Sequence, residues 1–189
     1  MEIYLIRHPQ ADVVQGICYG QSDVEITDES LKAALEKINK FIPDASELIV
    51  YSSELKRCKV IAENLRQKDD VIFSPDMREI NFGRWEMKRW SEIPKNELNL
   101  WMSDFVNVNC YDGESYIDLY ERVVMFWERL NKKNHKKVVV ITHSGVIRAV
   151  LAHILQIPLR NSFTLKIDYC SISKILITDE INEIQYVNR

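Results

Sequence analysis

Two hydrophobic rhythms alternate along the chain. Short apolar runs with the length and β-branched or aromatic content of buried strands fall at residues 2–6, 48–51, 71–73 and 138–142. Between them, apolar positions recur at helical spacing. Thr27 stands as an N-cap ahead of Leu31, Ala34, Leu35, Ile38 and Ile42, and Pro43 ends that helix. A second helix is expected over about 54–66. A third follows Asp112-Gly113-Glu114-Ser115, with Leu119, Val123, Phe126 and Leu130 along one face, and a fourth covers 145–155. Two further strands, near 172–177 and 184–187, close the chain.

Strands alternating with helices predict an α/β fold, a three-layer sandwich around a mostly parallel central sheet. Residues from about 76 to 111 break the rhythm. They hold three of the four tryptophans with mixed charges, Pro94 and weak periodicity. They are expected to form a small helical and loop insert, cap-like over the active-site end of one domain spanning 1–189.

Composition narrows the function classes. The chain has 189 residues, 46% hydrophobic and 28% charged, enough for one well-buried domain. A net charge of −3 gives no chain-wide attraction to nucleic acid or anionic membrane, so an anionic small molecule would need a local positive pocket. No apolar run reaches the roughly 20 residues of a membrane span. Residues 1–6 do not follow the basic-then-apolar pattern of a secretory signal, which reads as a cytoplasmic protein. The four cysteines are widely spaced and expected to be reduced and partly buried. The four histidines have no zinc-ligand spacing, so neither metal nor cofactor is expected.

Two predicted strands end in histidine, at His8 and His143. Ligands of open α/β sheets bind beyond the carboxyl ends of the strands, so both imidazoles should face one crevice. Either ring alone is more often a hydrogen-bonded structural residue, and two at matching positions make the readings even. Arg7 beside His8, and Arg57 on the first turns of the second helix, shift the balance. Forked guanidinium donors at a sheet end suit a phosphate, although Arg57 in Glu54-Leu55-Lys56-Arg57 also fits a solvated helix face.

In this setting Arg7-His8-Pro9 resembles the Arg-His-Gly signature of the histidine phosphatase superfamily, in its branch related to cofactor-dependent phosphoglycerate mutase. Ser52-Ser53-Glu54-Leu55-Lys56-Arg57 resembles the second arginine motif, and Glu79-Ile80-Asn81-Phe82-Gly83-Arg84-Trp85-Glu86 the acid motif. Asp112-Gly113-Glu114-Ser115 and Thr142-His143-Ser144-Gly145-Val146-Ile147-Arg148 resemble the two that follow. The segments around Tyr19 and Trp85 are similar to the adenosylcobalamin/α-ribazole phosphatase subgroup. Pro9 and Ser144 stand where glycine is usual, and Pro9 has no N–H to offer a phosphate.

The resemblance implies a phosphomonoester hydrolase working through phosphohistidine on His8. Arg7, Arg57 and His143 would surround the phosphoryl oxygens, with Glu79 as general acid and Glu86 as the alternative. Gln21, Ser22 and Ser144 are further phosphate-binding candidates, and Tyr19 and Trp85 substrate contacts. The expected partner is a small phosphorylated substrate, such as α-ribazole 5′-phosphate or adenosylcobalamin phosphate, with no nucleic acid and no membrane. Phosphoglycerate mutase and sugar bisphosphatase share the first half-reaction and stay open. So does a non-catalytic phosphate-binding module, which would suit a chain lacking one of the five core residues.

Overall fold

A computed structural model describes residues 1–42, 48–179 and 181–189. Six strands form one sheet in the order β3-β2-β4-β1-β5-β6. They are β1 (Glu2–Arg7), β2 (Leu48–Ser52), β3 (Val71–Phe73), β4 (Lys137–Thr142), β5 (Ile172–Ile177) and β6 (Asn182–Tyr186). β3, β2, β4 and β1 run parallel, and β5 joins β1 antiparallel. The sheet is therefore mostly parallel, as expected.

Side chains along the central strands divide between two cores, as the period of two requires. Ile3, Leu5, Val138 and Val140 face α4 (Tyr116–Asn131) and α5 (Ser144–Leu155). Tyr4, Ile6, Val139 and Ile141 face α1 (Asp28–Phe41) and α2 (Lys56–Leu65). Helices cover both faces, which gives the three layers. Buried on both sides, β4 carries an unbroken apolar run instead of an alternating one.

The helix starts follow side-chain chemistry. Thr27 Oγ1 accepts from Ser30 N at 3.2 Å and caps α1, an interaction generally worth about 1 kcal/mol. The stop read at Pro43 lies outside the described residues. Ser115 and Asp118 form a reciprocal capping box at α4. Glu114, just ahead of α4, pairs with Arg122 at 2.9 Å.

The segment after β3 is built from short 3-10 turns at Pro75–Met77, Gly83–Trp85 and Trp90–Glu92, followed by α3 (Lys95–Ser103). Such turns are too short to display a helical repeat, hence the weak periodicity. Cys18, Trp85, Ile93 and Cys110 make a small core there, flanked by Phe82, Trp90, Leu98 and Trp101. All four cysteines are free thiols.

Candidate active site

The carboxyl ends of β1, β4 and β2 lie side by side. Arg7 is in register with Thr142, and Ser52 with Ile141. One residue further on, His8 N donates to Thr142 O and Ser53 N to Ile141 O, both at 3.0 Å. This extension of the ladder brings His8, His143 and Ser53 together. The two imidazole centroids are 5.0 Å apart.

Both rings are buried. His8 Nδ1 lies 2.5 Å from the carbonyl oxygen of its neighbour Pro9. Pro9 lacks an N–H but still supplies this acceptor, which assigns the proton to Nδ1 and leaves Nε2 with its lone pair. Arg57 Nε approaches that Nε2 at 3.3 Å. Burial, followed by the charges of Arg57 and Arg7, holds the His8 pKa well below its ordinary value. Burial and Arg57 do the same to His143. His143 Nε2 lies 2.9 Å from Ser53 Oγ, while its buried Nδ1 makes no hydrogen bond among the described residues.

The arginines are held by carbonyls. Arg57, fully buried on the first turn of α2, donates to Ser22 O at 2.8 Å and Gly20 O at 2.5 Å. Arg7 donates to Ile167 O at 2.6 Å, and its guanidinium lies 3.8 Å from the Tyr169 ring centroid. Among the described residues no carboxylate pairs with either one. Neutral acceptors leave the positive charge uncompensated, as an anion site requires.

Glu79 sits at the N-terminus of α5. Gly145 N donates to it at 3.1 Å, Ile80 N at 3.1 Å and Ser144 Oγ at 3.4 Å. Gly145 makes this approach possible, since a Cβ there would fall 2.2 Å from Glu79 Oε1.

Arg7, His8, Arg57, Glu79, Ser144 and Tyr19 line one cleft of about 310 Å³. Its far wall is aromatic, with Phe82, Trp90, Trp101, Phe105 and Phe163. His143, buried 5.0 Å from the His8 ring, does not line the cleft.

Four candidates fall elsewhere. Ser22 Oγ donates to Glu86 at 2.5 Å, and Gln21 Nε2 to Glu79 O at 3.1 Å, so local loop bonding occupies both side chains. Trp85 is buried in the small core, its Nε1 donating to Glu97 at 2.9 Å, and does not reach the cleft. Glu86 does not line the cleft either. It accepts from the backbone N–H groups of Gly20, Gln21, Ser22 and Phe82, which fixes the loop that cradles Arg57.

Tyr169 and Phe163 line the cleft without having been anticipated. Both lie between α5 and β5, where no apolar period marks a core face, and an aromatic just ahead of a strand was the only signal. Arg148, part of the last motif, also reaches the cleft. Its Nε donates to Leu165 O at 3.1 Å, and its Nη groups make no hydrogen bond among the described residues. No three His, Cys, Asp or Glu side chains gather as a metal site among the described residues, and no helix there is long and apolar enough to cross a membrane.

Residues 3–189 match the histidine phosphatase superfamily (branch 1). A metal-independent phosphoserine phosphatase of Arabidopsis thaliana is 30% identical over 82% of this chain and 69% of its own. The adenosylcobalamin/α-ribazole phosphatase of Escherichia coli K12 is 23% identical over 100% of this chain and 96% of its own. The crystal structure of the α-ribazole phosphatase from Shigella flexneri superimposes with a TM-score of 0.90, at 23% identity, over 100% of this chain and 96% of that one.

Proposed function

The chain belongs to the histidine phosphatase superfamily, and from that premise we propose that it hydrolyses phosphomonoesters through a phosphohistidine on His8. The observation that carries the reading is His8 itself, a buried neutral imidazole whose Nε2 lone pair faces Arg57 and whose Nδ1 is tied to Pro9 O.

In the first step Nε2 attacks phosphorus as the bond to the leaving oxygen breaks, and Glu79 gives its proton to that oxygen. In the second, the Glu79 carboxylate takes a proton from water, the water oxygen attacks phosphorus, and the P–N bond breaks. The products are alcohol and inorganic phosphate, with His8 and Glu79 restored. Arg7 and Arg57 stabilise charge on the equatorial oxygens. Ser53 Oγ accepts from Leu55 N at 3.4 Å and lies 2.9 Å from His143 Nε2, which holds the His143 ring beside His8. An acid-labile, base-stable label trapped from phosphate-labelled substrate, absent in His8→Ala, is the expected result. Undiminished labelling of that variant overturns the assignment.

For the substrate, the aromatic wall supports a flat apolar leaving group such as that of α-ribazole 5′-phosphate or adenosylcobalamin phosphate, stacked while the arginines hold phosphate. One observation favours a second reading. Arg148, with its Nη groups uncommitted in the cleft, suits a substrate carboxylate, as in phosphoserine.

A further inference from the structure

The two arginines belong to different loops. Arg57 is gripped by the carbonyls of Gly20 and Ser22, in a loop fastened to Glu86. Arg7 is gripped by Ile167 O and the face of Tyr169. That second loop is fastened elsewhere, through Arg148 to Leu165 O and through Asn188 to Asp168.

Two hydrogen bonds join the two loops directly among the described residues, a backbone bond from Cys170 N to His8 O at 3.3 Å and one between side chains, Tyr19 Oη with Tyr169 Oη at 3.0 Å. The flanking rings meet the cations on either side. The Arg57 guanidinium lies 5.4 Å from the Tyr19 centroid, and the Tyr169 ring is 5.8 Å from the His8 ring. Burial and the Tyr169 hydroxyl push the Tyr19 phenol above its ordinary pKa, so Tyr19 stays protonated across the neutral range.

We infer that the Tyr19–Tyr169 hydroxyl bond sets the separation of the Arg7 and Arg57 guanidinium groups across His8, making both tyrosines positioning residues for the transferred phosphoryl group. The inference rests on the phosphohistidine reading. The side-chain bridge acts as a spacer beyond that backbone tie, since loss of either hydroxyl leaves only the Cys170–His8 bond to hold one loop, and the arginine it grips, relative to the other. Neither tyrosine needs to touch the reacting atoms. Tyr169 carries a second duty, because its ring stacks on Arg7 whether or not its hydroxyl is present.

Orthovanadate, which takes the five-coordinate geometry of the transferring group, is the probe. Tyr19→Phe and Tyr169→Phe in the full chain should each weaken its inhibition about three- to tenfold, the range one hydrogen bond supplies. The double variant should be no worse than either single, since both remove the same bond. Melting temperature should barely move, and kcat should fall more than KM rises. Tyr169→Leu should weaken inhibition beyond Tyr169→Phe, because the stack is lost as well. Wild-type inhibition in both Phe variants, or losses that add in the double variant, overturns the spacer. A His8→Ala protein that still labels normally overturns the underlying reading and the spacer with it. An inert His8→Ala beside unaffected Phe variants overturns the spacer alone.

Discussion

Arg57 Nε lies 3.3 Å from His8 Nε2 and donates to the nitrogen that Pro9 O leaves unprotonated. A guanidinium does not lose its proton in a protein, so this contact and the Pro9 carbonyl assign the same tautomer from opposite sides of the ring. The same charge that will meet a phosphate also keeps the nucleophile neutral. Ground-state electrostatics and the proposed chemistry thus call for one arrangement.

Acid should unfold the protein through these histidines. His8 and His143 both have folded pKa values well below the ordinary 6.5. The unfolded chain therefore binds protons that the folded chain refuses, and stability falls as pH drops below about 6.5. Above pH 7 the contribution is constant. Urea unfolding from pH 5 to 8 should show the decline, and His143→Gln should reduce its slope by about one proton, roughly 1.4 kcal/mol per pH unit. Stability that is flat or rises on acidification would contradict the buried neutral pair.

Glu79→Gln should slow hydrolysis of alkyl phosphates by about 10²–10⁴-fold and that of p-nitrophenyl phosphate much less, because nitrophenolate leaves without a proton. The motivation is its place in the cleft beside Gly145 N and Ser144. Equal losses on both substrates would leave Glu79 a structural or water-activating role. Selective loss in Glu86→Gln would move the acid to Glu86.

Glu86 should act through the loop instead. Burial raises its pKa, but the Ser22 hydroxyl and the N–H groups of Gly20, Gln21 and Phe82 outweigh burial, and the net shift is downward. Its contribution is therefore present above about pH 4.5 and lost as pH falls through the depressed value. Glu86→Ala should cost about 3 kcal/mol in denaturant unfolding, since several donors lose a charged acceptor together. KM should rise as the Gly20 and Ser22 carbonyls release Arg57. A cost below about 1 kcal/mol would mean that water replaces the carboxylate with ease.

Much of this was legible before any coordinates. β4 is read from its unbroken apolar run and α4 from its apolar period, because the strand is buried on both faces and the helix on one. The register that aligns Arg7 with Thr142 is what turns two strand-end histidines into one site. The loop residues were less legible. Gln21, Ser22 and Trp85 lie in motif-like segments, yet their side chains donate to Glu79 O, Glu86 and Glu97 in that order. A polar residue near a phosphate pocket has the same sequence signature whether it binds ligand or its own loop. Tyr169 was silent for the opposite reason, since its role comes from packing on an arginine 162 positions earlier in the chain.

The aromatic wall and Arg148 make opposing demands on the leaving group, and kinetics can separate them. If stacking on the wall dominates, kcat/KM for α-ribazole 5′-phosphate should exceed that for phosphoserine and 3-phosphoglycerate. Trp90→Ala and Trp101→Ala should then raise KM for the aromatic substrate alone, by about five- to tenfold for a lost ring contact of 1–1.5 kcal/mol. Arg148→Gln should leave that substrate nearly unaffected. If the substrate carries a carboxylate, the pattern inverts: Arg148→Gln should weaken phosphoserine turnover by about tenfold or more, as loss of a charge-assisted hydrogen bond implies. The tryptophan variants would then have small effects. Release of inorganic phosphate, measured alongside transfer between phosphoglycerates, separates hydrolysis from mutase turnover. A preference for phosphoserine with Arg148 dependence would reject the α-ribazole assignment while leaving phosphohistidine chemistry on His8 intact, because the two readings share every atom of the phosphate end and differ only beyond the leaving oxygen.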